Sequence, residues 1–356
     1  MTIQLSLIIC YNLTYNMVKG MIYVNPDLML KVNLMSRNFS QLKEHFFWEG
    51  SIVKQFVAMT NAIKEKEVLP ERLKEIIAFI KKETSWTSYF RGNNLFMMAN
   101  LLGFEDDYRK LWMDMQFLYE KLRKSGFRNC AYLPLAAYTI AKEVPKQNWD
   151  SSIVRMNGFY SSMKKNHFWL TSQDDYVYAA ILAVSDLDLE ETCLKIENCY
   201  NLLNSLGFSR GNYLQALSHI LALGEESVQD KCHKALLIRN KLKENGCKLH
   251  YNSLSTLGLI SLVATDINKI VADIKEVYDY IYNQPGFGFW SMSKDIRTMF
   301  AASLVCNSYI DDYQKGLLDI TIGNSINAII IAQQQAAMAA VIASSAAANS
   351  ASSSSN

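Results

Sequence analysis

The chain has 356 residues, half of them hydrophobic and a fifth charged, so it can bury a sizeable core and is not disordered throughout. Its 36 basic side chains nearly cancel its 34 acidic ones, and no basic block exceeds short pairs such as Lys81 and Lys82. Binding to nucleic acid normally needs a concentrated basic face to neutralise phosphates, so no nucleic-acid partner is expected.

Residues 1–36 are rich in Asn, Tyr and Met and poor in charge, and read as an ill-defined N-terminal extension in which Met17, Met21 and Met35 offer alternative starts. The apolar run Ile3–Cys10 has no lysine or arginine before it and is too short to span a bilayer. From Gln41 the text becomes helical: an aromatic knot, Phe46, Phe47 and Trp48, precedes a stripe of Ile52, Val53, Phe56, Val57 and Ile63. Pro70 suits the first turn of the next helix, PERLKEIIAFIKK, because its missing N–H costs nothing there.

Beyond it, short apolar helices alternate with longer amphipathic ones. The long ones carry stripes at steps of three and four: Leu111, Met115, Leu118 and Leu122; Leu189, Cys193, Ile196, Tyr200 and Leu203; Ile267, Ile270, Ile274, Val277 and Ile281. The stretch LGFSRGNYLQAL repeats an earlier one, with Gly207 and Phe208 matching Gly126 and Phe127 (207 − 126 = 81), and Gly246 falls midway to Gly286. Gly126, Gly207 and Gly246 each follow a stripe and predict left-handed helix terminators, with the next apolar residue folding back onto the helix. Asn94, Asp175 and Asn252 precede the short helices and are expected as their N-caps.

The resulting unit is a helical hairpin of about 40 residues, repeated five or six times between residues 70 and 310, with four helices per 81-residue superrepeat. The fold class expected is all-α, an α/α superhelix of stacked hairpins, with closure into an α/α toroid left open. The expected domains are a repeat domain over 37–310, a C-terminal docking helix over 311–343 and a disordered Ala/Ser tail over 344–356. The apolar stretch Ile326–Ala343 is interrupted by Gln333, Gln334 and Gln335, so no membrane span is expected.

Seven cysteines without a C-x-x-C pair read as small buried hydrophobes in a reducing compartment, and a cytoplasmic location is expected. Three Asp-Asp-Tyr triplets, at 106–108, 174–176 and 311–313, lack a third acid one helical turn on and read as helix-start acids. Neither a metal site nor a cofactor is expected.

A second recurrence pairs Lys82 with Trp86 and Lys165 with Trp169 ahead of polar loops. If those loops share one edge of the stack, Trp86, Arg91, His167, Trp169, Asp174 and Asp175 gather aromatic, basic and acidic groups on one rim, a candidate binding site. The plainer account packs both tryptophans into the hairpin joints. Gln284, Gly288 and Trp290 fit Q-x-x-x-G-x-W, which resembles the repeat motif of triterpene cyclases, but it occurs once and the acidic D-x-D-D motif of those enzymes is missing. No other catalytic or nucleotide-binding motif is present.

At SSMKKNHFWLTSQDDYVYAAILA, with LGFSRGNYLQALSHILAL downstream and the Ala/Ser-rich end, the chain resembles a bacterial family of unknown function, number 4003 among the domains of unknown function. The resemblance implies a bacterial, cytoplasmic, all-helical protein and brings no catalytic residue. The function expected is a binding or scaffold module that takes a protein, peptide or small ligand on its loop rim or concave face. The alternative is an α/α-toroid enzyme with carboxylates in a central pocket.

Overall fold

Asn25 opens the first helix by accepting the Asp27 amide at 3.1 Å, and Pro26 occupies the first turn, where a missing N–H is harmless. This helix, α1 (Pro26–His45), pairs with α2 (Ser51–Ile63). Six further hairpins follow: α3 (Pro70–Glu83) with α4 (Asn93–Gly103), α5 (Tyr108–Lys124) with α6 (Leu133–Glu143), α7 (Trp149–Asn166) with α8 (Asp175–Ala183), α9 (Leu189–Ser205) with α10 (Asn212–Leu221), α11 (Val228–Glu244) with α12 (Leu254–Val263), and α13 (Ile267–Tyr282) with α14 (Lys294–Gln314). The computed structural model describes residues 25–314, 328–333 and 337; the expectations for residues 1–24 and for the Ala/Ser tail lie outside these. Among the described residues there is no strand, so the fold is all-α.

The two kinds of helix bury differently. Odd-numbered helices bury one stripe, as in α5, where Leu111, Met115, Leu118 and Leu122 are buried, while Arg123 and Lys124 stay in solvent. Even-numbered helices are buried nearly all round, as α12 is from Leu254 to Val263, because they lie between the odd helices and the interior of the array. Even helices pack on even neighbours: Asn61 of α2 donates to Asn100 Oδ1 of α4 at 2.7 Å. Between α10 and α12 the approach is so close that a Cβ on Gly258 would sit 2.9 Å from Ile220.

Most odd helices are capped at their N-termini by side chains, α3 and α7 being the exceptions. Asp107, Asp188, Ser227 and Asp266 each accept a backbone amide two or three residues on, at 2.8–3.1 Å, each stabilising by about 1 kcal/mol. Asp107 thus explains the first Asp-Asp-Tyr triplet. The short helices do not use the expected caps. Asn94 lies inside α4 and donates to the carbonyls of Tyr89 and Ala131, Asp175 is the first residue of α8, and Asn252 sits in a 3₁₀ turn. Asn94 thereby ties its loop to the next one, and the short helices lean on burial instead of caps.

At the C-termini of α5, α9 and α11 the glycine expectation holds. Gly126, Gly207 and Gly246 have φ of +109°, +88° and +76°. The amides of Phe127, Phe208 and Cys247 then reach back to Leu122, Leu203 and Leu242 at 2.9–3.1 Å, with their side chains buried.

The last hairpin packs on the first. Lys31 Nζ donates to Asn307 Oδ1 at 2.7 Å, Tyr280 OH to Asn33 Oδ1 at 2.9 Å, and Gln55 Nε2 to the Gly286 carbonyl at 2.7 Å. Phe39 meets Phe287, and Phe56 meets Phe300, each at 5.1 Å between ring centroids. Residues 328–333 are helical and buried, with Ile329 fully enclosed. Ile330 and Ile331 border a cavity of about 420 Å³ shared with Ile63 of α2, Leu101 of α4 and Tyr138 of α6, while Gln333 meets Thr256 of α12 at 3.4 Å. One short segment thus lies beside even helices from four different hairpins.

Candidate functional site

Because every hairpin has the same sense, all odd-to-even loops emerge at one end of the array and all even-to-odd loops at the other. The two ends differ chemically. The even-to-odd loops, residues 64–69, 104–107, 144–148, 184–188, 222–227 and 264–266, hold ten acidic and three basic side chains and one aromatic, Phe104. The odd-to-even loops, residues 46–50, 84–92, 125–132, 167–174, 206–211, 245–253 and 283–293, hold two acidic and four basic side chains and fifteen aromatics.

Some of those aromatics close the hairpins: Phe46 is buried against Phe96 at 5.0 Å, and Phe90 against Trp112 at 5.0 Å. Others point outward. Trp48, Trp86, Trp169 and Trp290 are 58%, 85%, 92% and 94% exposed, whereas the two tryptophans inside helices, Trp112 and Trp149, are buried. The plainer account of Trp86 and Trp169 as joint-packing residues is therefore corrected: the joints are filled by phenylalanines, and the tryptophans sit at the loop tips. Three of the four carry an edge-to-face phenylalanine, Phe47–Trp48, Phe168–Trp169 and Phe289–Trp290, at 5.0–5.3 Å. The Phe-Trp pair recurs at a constant interval (168 − 47 = 121; 289 − 168 = 121), a signal in the sequence that singles out Trp48 and Trp290, which the Lys-Trp spacing misses.

The six residues named from sequence fall at two loops of this end, Asp175 opening α8 just after the second, and the α5–α6 hairpin separates them. Arg91 is committed internally: Nε donates to Thr84 Oγ1 at 2.9 Å, and Nη2 to the carbonyls of Lys81 and Thr84, closing the C-terminus of α3. Trp86 stands clear of it in solvent. In the other loop the His167 amide donates to the Met163 carbonyl at 2.8 Å, and its ring lies 4.3 Å from Tyr200, with Nε2 3.1 Å from Glu197 Oε2. His167 thus turns toward α9, away from the acids of its own loop.

Asp174 and Asp175 do come together, around Ser172. The Ser172 hydroxyl donates to Asp174, and its amide donates to Asp175 Oδ2 at 2.9 Å. Asp175 is only 2% exposed. Burial, with Asp174 beside it, raises its pKa from 3.8 to about 8, against the lowering pull of the Ser172 amide and Lys164. At neutral pH it is a buried carboxylic acid.

Beneath this loop lies a polar layer that sequence reasoning did not name. Gln215 of α10 donates to Thr171 Oγ1 at 2.9 Å, and Thr171 donates to the Met163 carbonyl at 3.0 Å. His219, one turn further along α10, is 1% exposed and packs 5.7 Å from Tyr178; burial pushes it down to about 3, so it is neutral. Polar residues on an otherwise apolar short helix are the signal that could have found them.

Among the described residues, no group of three His, Cys, Asp or Glu is placed to hold a metal ion, and no helix is long and apolar enough to cross a membrane. The third Asp-Asp-Tyr triplet has no described side chains.

The chain is similar to an uncharacterised protein of Bacillus subtilis strain 168, YeaA, with 26% identity over 315 residues, covering 86% of this chain and 92% of the relative. No solved structure matches it. The family profile described as protein of unknown function DUF4003 matches residues 38–335, which span the array from α1 to the buried helical segment after α14, and the chain belongs to that family.

Proposed function

We propose that the protein is a cytoplasmic binding module: its seven hairpins form a closed α/α ring, and the end of the ring that carries the odd-to-even loops engages the partner. Closure is supported by the packing of α13 and α14 on α1 and α2, and by one short C-terminal segment that borders a cavity shared with α2, α4 and α6 and bonds to α12. The observation that carries the binding role is the four loop tryptophans, all more than half exposed at one end, while the loops of the other end hold none. An exposed tryptophan forfeits its large apolar surface to water, and clustered exposed aromatics mark surfaces that bind. The indoles stand on a rigid base, which lowers the entropic cost of ordering them on a partner.

The enzyme alternative rests on Asp175, a neutral buried acid suited to donating a proton. Two observations weigh against it. The Ser172 hydroxyl beside it is engaged with Asp174, and Ile329, Ile330 and Ile331 are buried on the even-helix side of the array.

Oxidative footprinting in a bacterial extract tests the binding reading. Trp48, Trp86, Trp169 and Trp290 are expected to be oxidised several-fold more slowly in the extract than in buffer at matched radical dose, while residues of the acidic end, such as Glu225 and Glu226, are unchanged. Equal rates for the tryptophans in both conditions would refute it.

A further inference from the structure

The partner class follows from what accompanies each tryptophan. Lys43 precedes Phe47 and Trp48, Lys81 and Lys82 precede Trp86, Lys165 precedes Phe168 and Trp169, and Lys294 follows Phe289 and Trp290. Each of these lysines is exposed and lies within five residues of its indole. Each prong is thus an aromatic tip with at least one exposed lysine beside it. The pattern is repeated on the α1–α2, α3–α4, α7–α8 and α13–α14 hairpins, and these do not form one contiguous block. The first, second and seventh hairpins are neighbours through the packing of α14 on α2, whereas the fourth is set apart by the α5–α6 and α9–α10 hairpins.

A groove ligand would reach neighbouring prongs only. A broad, flat partner, apolar a few ångströms down and negatively charged on top, meets all four at once. Indoles and phenyl rings favour the boundary between headgroup and acyl chain, and lysines beside them are held by anionic headgroups. Glu44, Glu49, Glu83, Asp174 and Asp295 lie as near the indoles and offset part of this charge, but α1 and α3 end in two basic residues each, Lys43 and His45 in α1 and Lys81 and Lys82 in α3. The opposite end, with ten acidic side chains in its loops, is repelled by the same surface, which fixes the orientation.

We propose that the aromatic end is a peripheral docking face for an anionic phospholipid bilayer, with Trp48, Trp86, Trp169 and Trp290 seated at the headgroup–acyl boundary and Lys43, Lys81, Lys82, Lys165 and Lys294 on the headgroups. The proposal rests on the reading of this end as the binding face and names what it binds. No spanning segment is involved, and attachment is reversible, because the aromatic anchors are few and the charge attraction is screened by salt.

The test uses the full chain and sedimentation with vesicles of phosphatidylcholine alone or mixed in equal parts with phosphatidylglycerol. The expected result is co-sedimentation with the mixed vesicles at low salt, release at high salt, and none with phosphatidylcholine alone. Brominated acyl chains should quench the tryptophan emission of the bound protein. Replacing all four tryptophans (W48S, W86S, W169S, W290S) should lower the partition coefficient by more than tenfold. The pair K81E and K82E should lower it by about fivefold or more per lysine. Both variants change exposed side chains, so helical circular dichroism and the melting temperature are expected to match the parent, and a variant that fails this check is replaced by the single substitutions. Two results overturn the proposal: the parent stays in the supernatant with mixed vesicles at low salt, or the four-tryptophan variant sediments as well as the parent. If vesicles fail while the footprint in extract persists in its membrane-free fraction, the membrane is the wrong partner and the binding face stands. If the footprint is absent as well, the binding face itself is wrong.

Discussion

Asp175 shows how position decides what a residue does. As an Asp near a helix start it reads as a cap, yet in the structure it is the buried member of a pair, held at about 8 by desolvation. Between about pH 4 and pH 8 the unfolded chain carries an ionised Asp175 and the folded chain a protonated one. The folded state then binds more protons, so stability falls as pH rises through that window and levels off above it, at about 1.4 kcal/mol per pH unit. Asp175→Asn keeps an acceptor for the Ser172 amide and removes the titration. Urea unfolding is expected to find the variant nearly equal to the parent at pH 4 and more stable by about 4–5 kcal/mol at pH 8; a difference independent of pH would mean that Asp175 is ionised in the fold. Arg91 is the complementary case. Sequence places it among ligand-binding candidates, whereas its guanidinium is spent on the carbonyls that end α3. No pattern of residue types distinguishes an arginine that holds a loop from one that waits for a ligand, because the distinction lies in which carbonyls the loop brings within reach.

Two glycines give the same substitution for different physical reasons. Gly207 has φ of +88° and open space where a Cβ would go, so Gly207→Ala is expected to cost about 1 kcal/mol through backbone strain alone. Gly258 has ordinary helical geometry but faces Ile220 at 2.9 Å, so Gly258→Ala is expected to cost about 1–3 kcal/mol through overpacking, despite alanine's better helix propensity. Chemical unfolding of both separates the cases: Gly258→Ser should be at least as damaging as alanine, while Gly207→Asn should recover part of the loss, since Asn tolerates the left-handed region. The hairpin period and the terminating role of Gly126, Gly207 and Gly246 were legible because a left-handed turn leaves a fixed residue at a fixed interval. The direction of the loop aromatics was not. Phe208 turns in and Trp169 turns out, and both follow the end of a long helix by a few residues. Only the space left by the neighbouring hairpin decides which aromatic the joint can hold.

At the scale of the whole molecule, a net charge of +2 conceals two chemically opposite ends. Composition averages that polarity away, and alternation of helices recovers it once the loops are sorted by the end at which they emerge. Whether the array is an arc or a ring was likewise outside the reach of periodicity, since a repeat fixes the step between neighbours and leaves the accumulated rotation free. The packing of Phe56 on Phe300 joins the second helix to the last, and Phe56→Ala is expected to cost about 3–5 kcal/mol. In calorimetry it should lower one cooperative transition and leave no separate melting of the first hairpin.

The proposed ring brings the first and last of the seven aromatic loops side by side, and small-angle X-ray scattering of the monomer measures that closure directly. A closed ring of 356 residues should have a radius of gyration of about 21 Å and a single-peaked distance distribution. A radius well above that, with a distribution drawn out to the length of an open arc, would contradict the account.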